Sequence, residues 1–229
     1  MSLLLHIGNK NYSSWSLRPW VLMRTLDIPF TEHLTPFAGD DAKSQFTAFS
    51  PTGKVPCLMD GAIVVWDSLA IVEYLAERFP AVWPGNPTAR AWARAAAAEM
   101  HSGFSTLRSS CTMNCGVRVR LGSCPDALRA DVARIDALWT EGLAKFGGSF
   151  LAGDTFTAVD AFYAPVAFRA QTYDLPLGEL SQAYAQRLLS LPAMQHWYAD
   201  ALQEPWRVSL HENATHAAGE VLRDDRMGI

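Results

Sequence analysis

The sequence predicts an α/β domain built on a mixed four-stranded sheet, followed by an all-α helical domain. Three observations carry this expectation. Up to Phe79 the apolar segments run in the order strand, helix, strand, helix, strand, strand, helix, which builds a mixed sheet with helices on its faces. Between Phe79-Pro80 and Asn86-Pro87 stand three prolines and a glycine, the composition of a connection between domains. After Thr88 apolar residues recur at spacings of three and four, with no competing strand signal. The expected division is residues 1–79, a linker over 80–87, and a helical domain over 88–229 that supplies the second substrate's side of a cleft.

The elements follow in order. Residues 2–7 alternate weakly and read as a buried strand. Leu17, Trp20, Val21 and Met23 give a helix from about Ser16 to Leu26. Pro19 complicates its start, because proline lacks an N–H and crowds the carbonyl four residues back. Phe30 to Leu34 reads as a second strand, and Asp40 to Phe49 as a weak helix or turn. Val55 to Met59 and Ile63 to Trp66 flank Asp60-Gly61, a hairpin signal. Asp67 to Phe79 is a helix with Leu69, Ile71, Val72 and Leu75 on its apolar side. In the second half, helices are expected from Ala89 to about Cys111, Pro125 to Phe146, Phe156 to Tyr173, Leu180 to Leu189 and Pro192 to Gln203. Thr157-Ala158-Val159-Asp160 reads as a capping-box variant, with Phe156 as a hydrophobic staple. The polar residues after about His211 read as a loosely held tail.

Composition narrows the function classes. The chain has 229 residues, 49% hydrophobic and 18% charged, so it has ample apolar surface for a core and is no disordered chain. A net charge of −4 with scattered arginines argues against a general nucleic-acid binder. No stretch approaches the roughly 20 apolar residues of a membrane span, and Leu3-Leu4-Leu5-His6-Ile7 is too short for an export signal. Cys57, Cys111, Cys115 and Cys124 lack paired metal spacing. They read as reduced thiols of a cytoplasmic protein, with no metal expected. Cys111 and Cys115 would lie one turn apart on a continued helix, where a redox role is open.

Two short segments are candidates for chemistry. Tyr12-Ser13-Ser14-Trp15-Ser16 lies between the first strand and the first helix, and ligands of such sheets sit at the carboxyl ends of strands. A hydroxyl at a helix N-terminus either caps the helix or stabilises an anion such as a thiolate; the spacing alone favours the cap. Tyr12 offers a second donor or simple packing. Lys54-Val55-Pro56 precedes Asp67-Ser68 at a helix start. An X-Pro bond adopts cis at little cost, and open N–H groups at a helix start attract carboxylate. Asp67 and Ser68 are caps by default. In the functional reading, Asp67 takes a ligand ammonium and Ser68 the neighbouring carboxylate, the two charges of one α-amino acid head. His101 and Arg108, seven residues apart on one helix face, and Asn114 just beyond are candidates for a second substrate if that face borders the cleft; solvent-facing or interhelical roles stand beside this.

Together these features resemble the cytosolic glutathione transferase family over nearly the whole chain. Tyr12-Ser13-Ser14-Trp15-Ser16 is similar to the serine motif of zeta-like and related bacterial classes, where Ser-Ser-Cys-Ser is usual. Lys54-Val55-Pro56 resembles the cis-proline loop. Asp67-Ser68 heads a segment resembling the glutathione-binding helix start, where Glu-Ser is commoner, and the capping box at Thr157 to Asp160 matches a feature of the helical domain. The resemblance implies a thioredoxin-like N-terminal domain and glutathione as co-substrate. Ser13 would stabilise its thiolate, with Ser14 the close competitor and Trp15 beside the sulfur. Val55 would pair with the cysteinyl backbone beside cis-Pro56, Asp67 and Ser68 would hold the γ-glutamyl head, and Lys54 with Lys43 would reach the glycyl carboxylate. Tyr12, His101, Arg108 and Asn114 would face the electrophile. A cytoplasmic homodimer in detoxification follows from the same resemblance.

The implied reaction is attack of the glutathione thiolate on a small electrophile between the domains. Bringing a thiol from a pKa of about 9 to neutrality is worth roughly 3 kcal/mol. Trp15 in place of cysteine argues against isomerase chemistry of the maleylacetoacetate kind, and Asp67 is one methylene shorter than glutamate. The rival readings are a glutathione-binding or regulatory module without turnover, and a glutathione-dependent isomerase or peroxidase. A thiol exchanger would need a cysteine at the turn of Ser13 to Trp15.

Overall fold

The computed structural model describes residues 3–37 and 42–226, with only the backbone described for residues 42 and 43. Four strands, β1 (Leu3–Ile7), β2 (Phe30–Leu34), β3 (Cys57–Asp60) and β4 (Ile63–Trp66), form one sheet in the order β2-β1-β3-β4. β2 runs parallel to β1, while β3 and β4 run antiparallel to their neighbours. This is the expected mixed sheet. β1 lies inside it, and Leu5 and Ile7 are fully buried, which is why its alternation in sequence is weak.

Helix α1 (Ser14–Thr25) begins two residues before the expected start and carries Pro19 inside it. Short α2 (Ala42–Thr47) and α3 (Ser68–Ala76) complete this half. Part of the predicted 40–49 element lies outside the described residues. Leu17, Trp20, Val21 and Leu22 of α1 are all buried. They are shared, because α1 packs on both the sheet and the helical half: Trp20 meets Trp197 edge-on at 5.1 Å.

A 3₁₀ turn (Pro80–Val82) leads to α4 (Pro87–Ser102), which has Pro87 in its first turn and is capped by the Asn86 side chain. The predicted long helix to Cys111 is in fact two. Gly103 is extended and Phe104 is left-handed at φ 56°, after which α5 (Ser105–Ser110) starts in a new direction. A left-handed non-glycine residue is strained by roughly 1–2 kcal/mol; Phe104 is buried, and packing holds it there. Helices α6 (Asp126–Phe146), α7 (Ala158–Tyr173), α8 (Glu179–Leu189) and α9 (Pro192–Gln203) follow the periodicity closely.

Two departures concern the end of the helical half. It contains a two-stranded antiparallel sheet, β5 (Val117–Leu121) with β6 (Gly219–Asp224). The expected loose tail is α10 (Ser209–Ala218) plus β6, anchored by Arg226, whose guanidinium donates to Glu212 Oε1 at 2.5 Å and to Oε2 at 2.9 Å. Both strands pair across about a hundred residues, so neither leaves a local signature. Among the described residues no helix is long and apolar enough to cross a membrane.

Candidate active site

The β1–α1 connection, Asn9 to Ser13, is clamped from the helical half. Glu204 Oε1 accepts from the Lys10 amide at 2.5 Å, and its Oε2 from the Asn11 amide at 3.3 Å. The Trp197 indole donates to the Lys10 carbonyl at 2.8 Å. Lys10 itself is buried and ion-paired with Glu32 at 2.7 Å and Asp200 at 2.6 Å. Asn11 Nδ2 donates to Asn114 Oδ1 at 2.8 Å, and its Oδ1 accepts from the Gly116 amide at 3.0 Å. A turn this tightly satisfied presents Ser13 and Ser14 in one orientation.

Two cavities open there. The larger, of about 670 Å³, is walled by Ser13, Ser14, Phe37, Met113, Arg169 and His211, among others. The smaller, of about 530 Å³, is walled by Thr52, Pro56, Trp66, Asp67 and Ser68. Trp15, Lys54, Val55 and Arg108 line both. The Val55–Pro56 bond is cis.

The hydroxyls differ. Ser13 is the N-cap of α1; its Oγ accepts from the Ser16 amide at 3.4 Å and donates to Ser16 Oγ at 2.7 Å. Ser14 lines the cavity and makes no side-chain hydrogen bond among the described residues. Asp67 caps α3 from an unusual backbone position, φ 77° and ψ 136°. Its Oδ1 accepts from the Leu69 amide at 2.8 Å and the Ala70 amide at 3.4 Å, while Oδ2 lies 3.4 Å from His101 Nε2. Ser68 is fully buried, and its hydroxyl has no partner among the described residues although it borders the smaller cavity. An orphan hydroxyl on a cavity wall is uncommon in a folded protein.

Positive charge dominates the junction. Trp15 carries two guanidinium groups, Arg18 at 4.1 Å and Arg108 at 4.2 Å from its ring centroid. Arg18 is almost wholly buried, and its Nε and Nη1 have no partner among the described residues. Burial first, then the neighbouring Arg108 and Arg169 charges, push its pKa well below the ordinary guanidinium value. Burial likewise lowers Arg108, and brings Arg169 down to about 10. Among the described residues none of the three has a carboxylate within ion-pair distance.

Several expected site residues sit elsewhere. Asn114 is fully buried and binds Asn11, Glu212 and Thr215; it is a strut beneath the turn and borders neither cavity. His101 also lines neither cavity: it lies between Asp67 and the edge of Trp15, at 5.2 Å, and burial lowers its pKa despite Asp67. Tyr12 lines the larger cavity, but its hydroxyl donates to Glu212 at 2.6 Å. Its pKa is pushed up to about 12 by burial first and then by Glu212, so the phenol is no proton source for a ligand. Lys43 lies in α2, and its side chain is outside the described residues. Cys111 and Cys115 are buried and not on one helix, since α5 ends at Ser110. Burial raises both thiols, Cys111 to about 12, which is the reverse of a redox-active pair. Arg18, Arg169, His211 and Phe37 went unread in the sequence; they come from four separated segments, and no spacing joins them.

Comparison with known proteins bears on the family and the fold. A family model described as glutathione S-transferase, N-terminal domain, matches residues 12–78, and one described as glutathione S-transferase, C-terminal domain, matches residues 123–200. A probable maleylacetoacetate isomerase of Caenorhabditis elegans is 26% identical over 166 residues, covering 72% of this chain and 77% of that protein. Glutathione S-transferase unclassified 2 of Bombyx mori superposes with a TM-score of 0.72 at 19% identity, covering 96% of this chain and 100% of that one. A glutathione transferase homolog from Burkholderia, solved with bound glutathione, superposes with a TM-score of 0.67 at 21% identity, covering 88% and 98%.

Proposed function

The chain belongs to the glutathione S-transferase family through both of its halves, and from that premise we propose that it binds glutathione in the smaller cavity and adds its thiolate to an electrophile held in the larger one. The observation that carries the reading is Ser68: a fully buried hydroxyl with no partner, beside Asp67 at a helix N-terminus. One α-amino acid head satisfies both, its ammonium on the Asp67 carboxylate and its carboxylate on the Ser68 hydroxyl and the Ser68 amide at the start of α3. Val55 offers its backbone to the cysteinyl unit, and exposed Lys54 reaches the glycyl carboxylate. The sulfur then lies against Trp15, near Ser13 and Ser14. Ser14 is the better donor to sulfur, because the Ser13 proton is directed at Ser16.

The larger cavity, with Phe37, Phe46 and Met113 on its wall, suits a small, partly apolar electrophile. A glutathione-dependent isomerase is the second reading, favoured by the isomerase named among the relatives; the bulk of Trp15 beside the sulfur weighs against it. We place the division between the halves at residues 80–87, where a 3₁₀ turn gives way to α4. Exposed Ile63 and Trp66 on edge strand β4 support a homodimer, since paired apolar faces leave water on association. A cytoplasmic setting fits the four free cysteines.

Calorimetry with glutathione is the test, followed by turnover with a panel of electrophiles. The wild type should bind at sub-millimolar to millimolar concentration. Ser68→Ala should bind about tenfold more weakly, the worth of one hydrogen bond to a charged group. Ser14→Ala should bind normally and turn over slowly, with Ser13→Ala less affected. No heat with the wild type at millimolar glutathione ends the proposal.

A further inference from the structure

The sulfur is the one atom both reactants share, so in the glutathione reading above, on which this rests, it lies where the two cavities meet. Among the described residues only Trp15, Lys54, Val55 and Arg108 line both cavities. Trp15 and Val55 carry no charge, and Lys54 is exposed and matched to the glycyl carboxylate. Arg108 is half-buried. It makes one hydrogen bond, from Nη1 to the His101 carbonyl at 3.3 Å, and none from Nε or Nη2 among the described residues. It is held in place by stacking on Trp15 and by the left-handed turn at Phe104 that aims α5 at the cleft.

We propose that Arg108 is a catalytic residue, the cation that ionises the bound thiol by pairing with the sulfur. When the S–H bond breaks, the proton goes to solvent, the electron pair stays on sulfur, and the thiolate pairs with a guanidinium that has no other anion. No oxidant or reductant takes part. A serine hydroxyl supplies one dipole; a guanidinium supplies a full charge in a partly water-excluded place, where charge acts more strongly.

The groups facing this point from the surrounding elements reinforce it. They are Arg18 from α1, Lys54 from the loop before β3, Asp67 at the head of α3, His101 from α4, Arg169 from α7 and His211 from α10. Asp67 is the one acid among them, and its oxygens are engaged with the α3 amides and His101. Burial lowers the pKa of both histidines below 6.5, so neither supplies the charge at neutral pH. The field at the junction is therefore positive and awaits an anion. The desolvated, unpaired state of Arg108 is the signature of a functional charge.

The experiment titrates the ultraviolet thiolate absorbance of glutathione bound to the full-length protein against pH. Wild type, Arg108→Gln, Arg108→Met and Arg108→Lys are compared, each at glutathione saturation set by its own calorimetric Kd. Both neutral variants should hold about tenfold less thiolate at neutral pH, as expected on removing one close opposite charge, and Arg108→Lys should recover most of it. The pH profile of kcat should move with the titration. A thiolate titration that stays in place in whichever neutral variant folds, with only KM for the electrophile raised, overturns the proposal and turns Arg108 toward the second substrate. Absence of glutathione binding by the wild type overturns the parent reading instead, and it shows in the calorimetry before any variant is titrated.

Discussion

Asp160 at the head of α7 and Arg18 in the middle of α1 are both out of water, yet their surroundings are opposites. Asp160 accepts from the Leu151 amide at 3.0 Å, the Thr157 amide at 2.9 Å, the Thr157 hydroxyl at 3.3 Å and the Tyr184 hydroxyl at 2.7 Å. Burial raises its carboxyl, these donors offset part of the rise, and the balance stands at about 6, so at neutral pH it is a fully satisfied carboxylate. Arg18 has two buried nitrogens with no partner among the described residues, and the charges of Arg108 and Arg169 bear on it more strongly than that of Asp67. The first arrangement closes on itself and holds α7 to the segment before it. The second stays open behind Trp15, a wall residue of both cavities. Burial alone does not separate scaffold from site; the state of the hydrogen bonds does.

The sharpest way to test that contrast is to open the closed cluster. Asp160→Ala leaves the Leu151 and Thr157 amides and the Tyr184 hydroxyl buried without an acceptor, and each such group costs about 1–3 kcal/mol. We expect a loss of about 4 kcal/mol in denaturant unfolding, large enough to unfold much of a marginal population. Asp160→Asn, keeping one acceptor oxygen, should fall between. A loss under about 1 kcal/mol would mean that the capping box is decoration. The converse change is Arg18→Met, which replaces an unpaired buried cation by an apolar chain of similar length. It should stabilise the protein by about 1–2 kcal/mol, since removing uncompensated buried charge relieves desolvation. A clear drop in Tm would show that the guanidinium is satisfied in the folded state and that the contrast with Asp160 fails.

The same contrast explains what was legible beforehand. Asp160 lies within a four-residue motif, so its role could be read locally, as could β2 and α9, whose bounds follow directly from pattern. Asp67-Ser68 and Val55-Pro56 are local too; neighbours in sequence make the contacts. The arginine cluster draws on α1, α5 and α7, and each guanidinium alone looks like an ordinary surface charge. The break at Gly103-Phe104 was hidden because the flanking residues all favour helix, and packing of Phe104 overrides that preference. The C-terminal segment is polar and looks loose, yet the Arg226–Glu212–Tyr12 contacts and pairing with β5 fix it. Asn114 was misread for the same reason: an amide next to a cleft in sequence turned out to be a buried strut.

Several orphans lie away from the cleft, among them Thr25, Trp83, Trp139 and Gln171, and the titratable His6 challenges the contrast most directly. His6 on β1 is buried, stacked on Phe49 at 4.0 Å and tilted against His33 at 5.1 Å, and neither ring nitrogen has a partner among the described residues. Burial first, and His33 second, hold its pKa below the ordinary 6.5. The folded protein therefore prefers the neutral ring. That preference contributes its full stability above pH 6.5, the unfolded value, and the contribution is lost as pH falls through the lower folded value. His6→Phe keeps the stack and removes the titration. The wild-type Tm should fall further than the variant's between neutrality and about pH 5, by roughly 2 °C, the smallest of these effects. Parallel pH curves would mean that His6 is hydrogen-bonded after all. A divergence would show that a neutral orphan away from the cavities is tolerated as packing, and that an orphan on a cavity wall, as at Ser68, marks a place kept for a ligand.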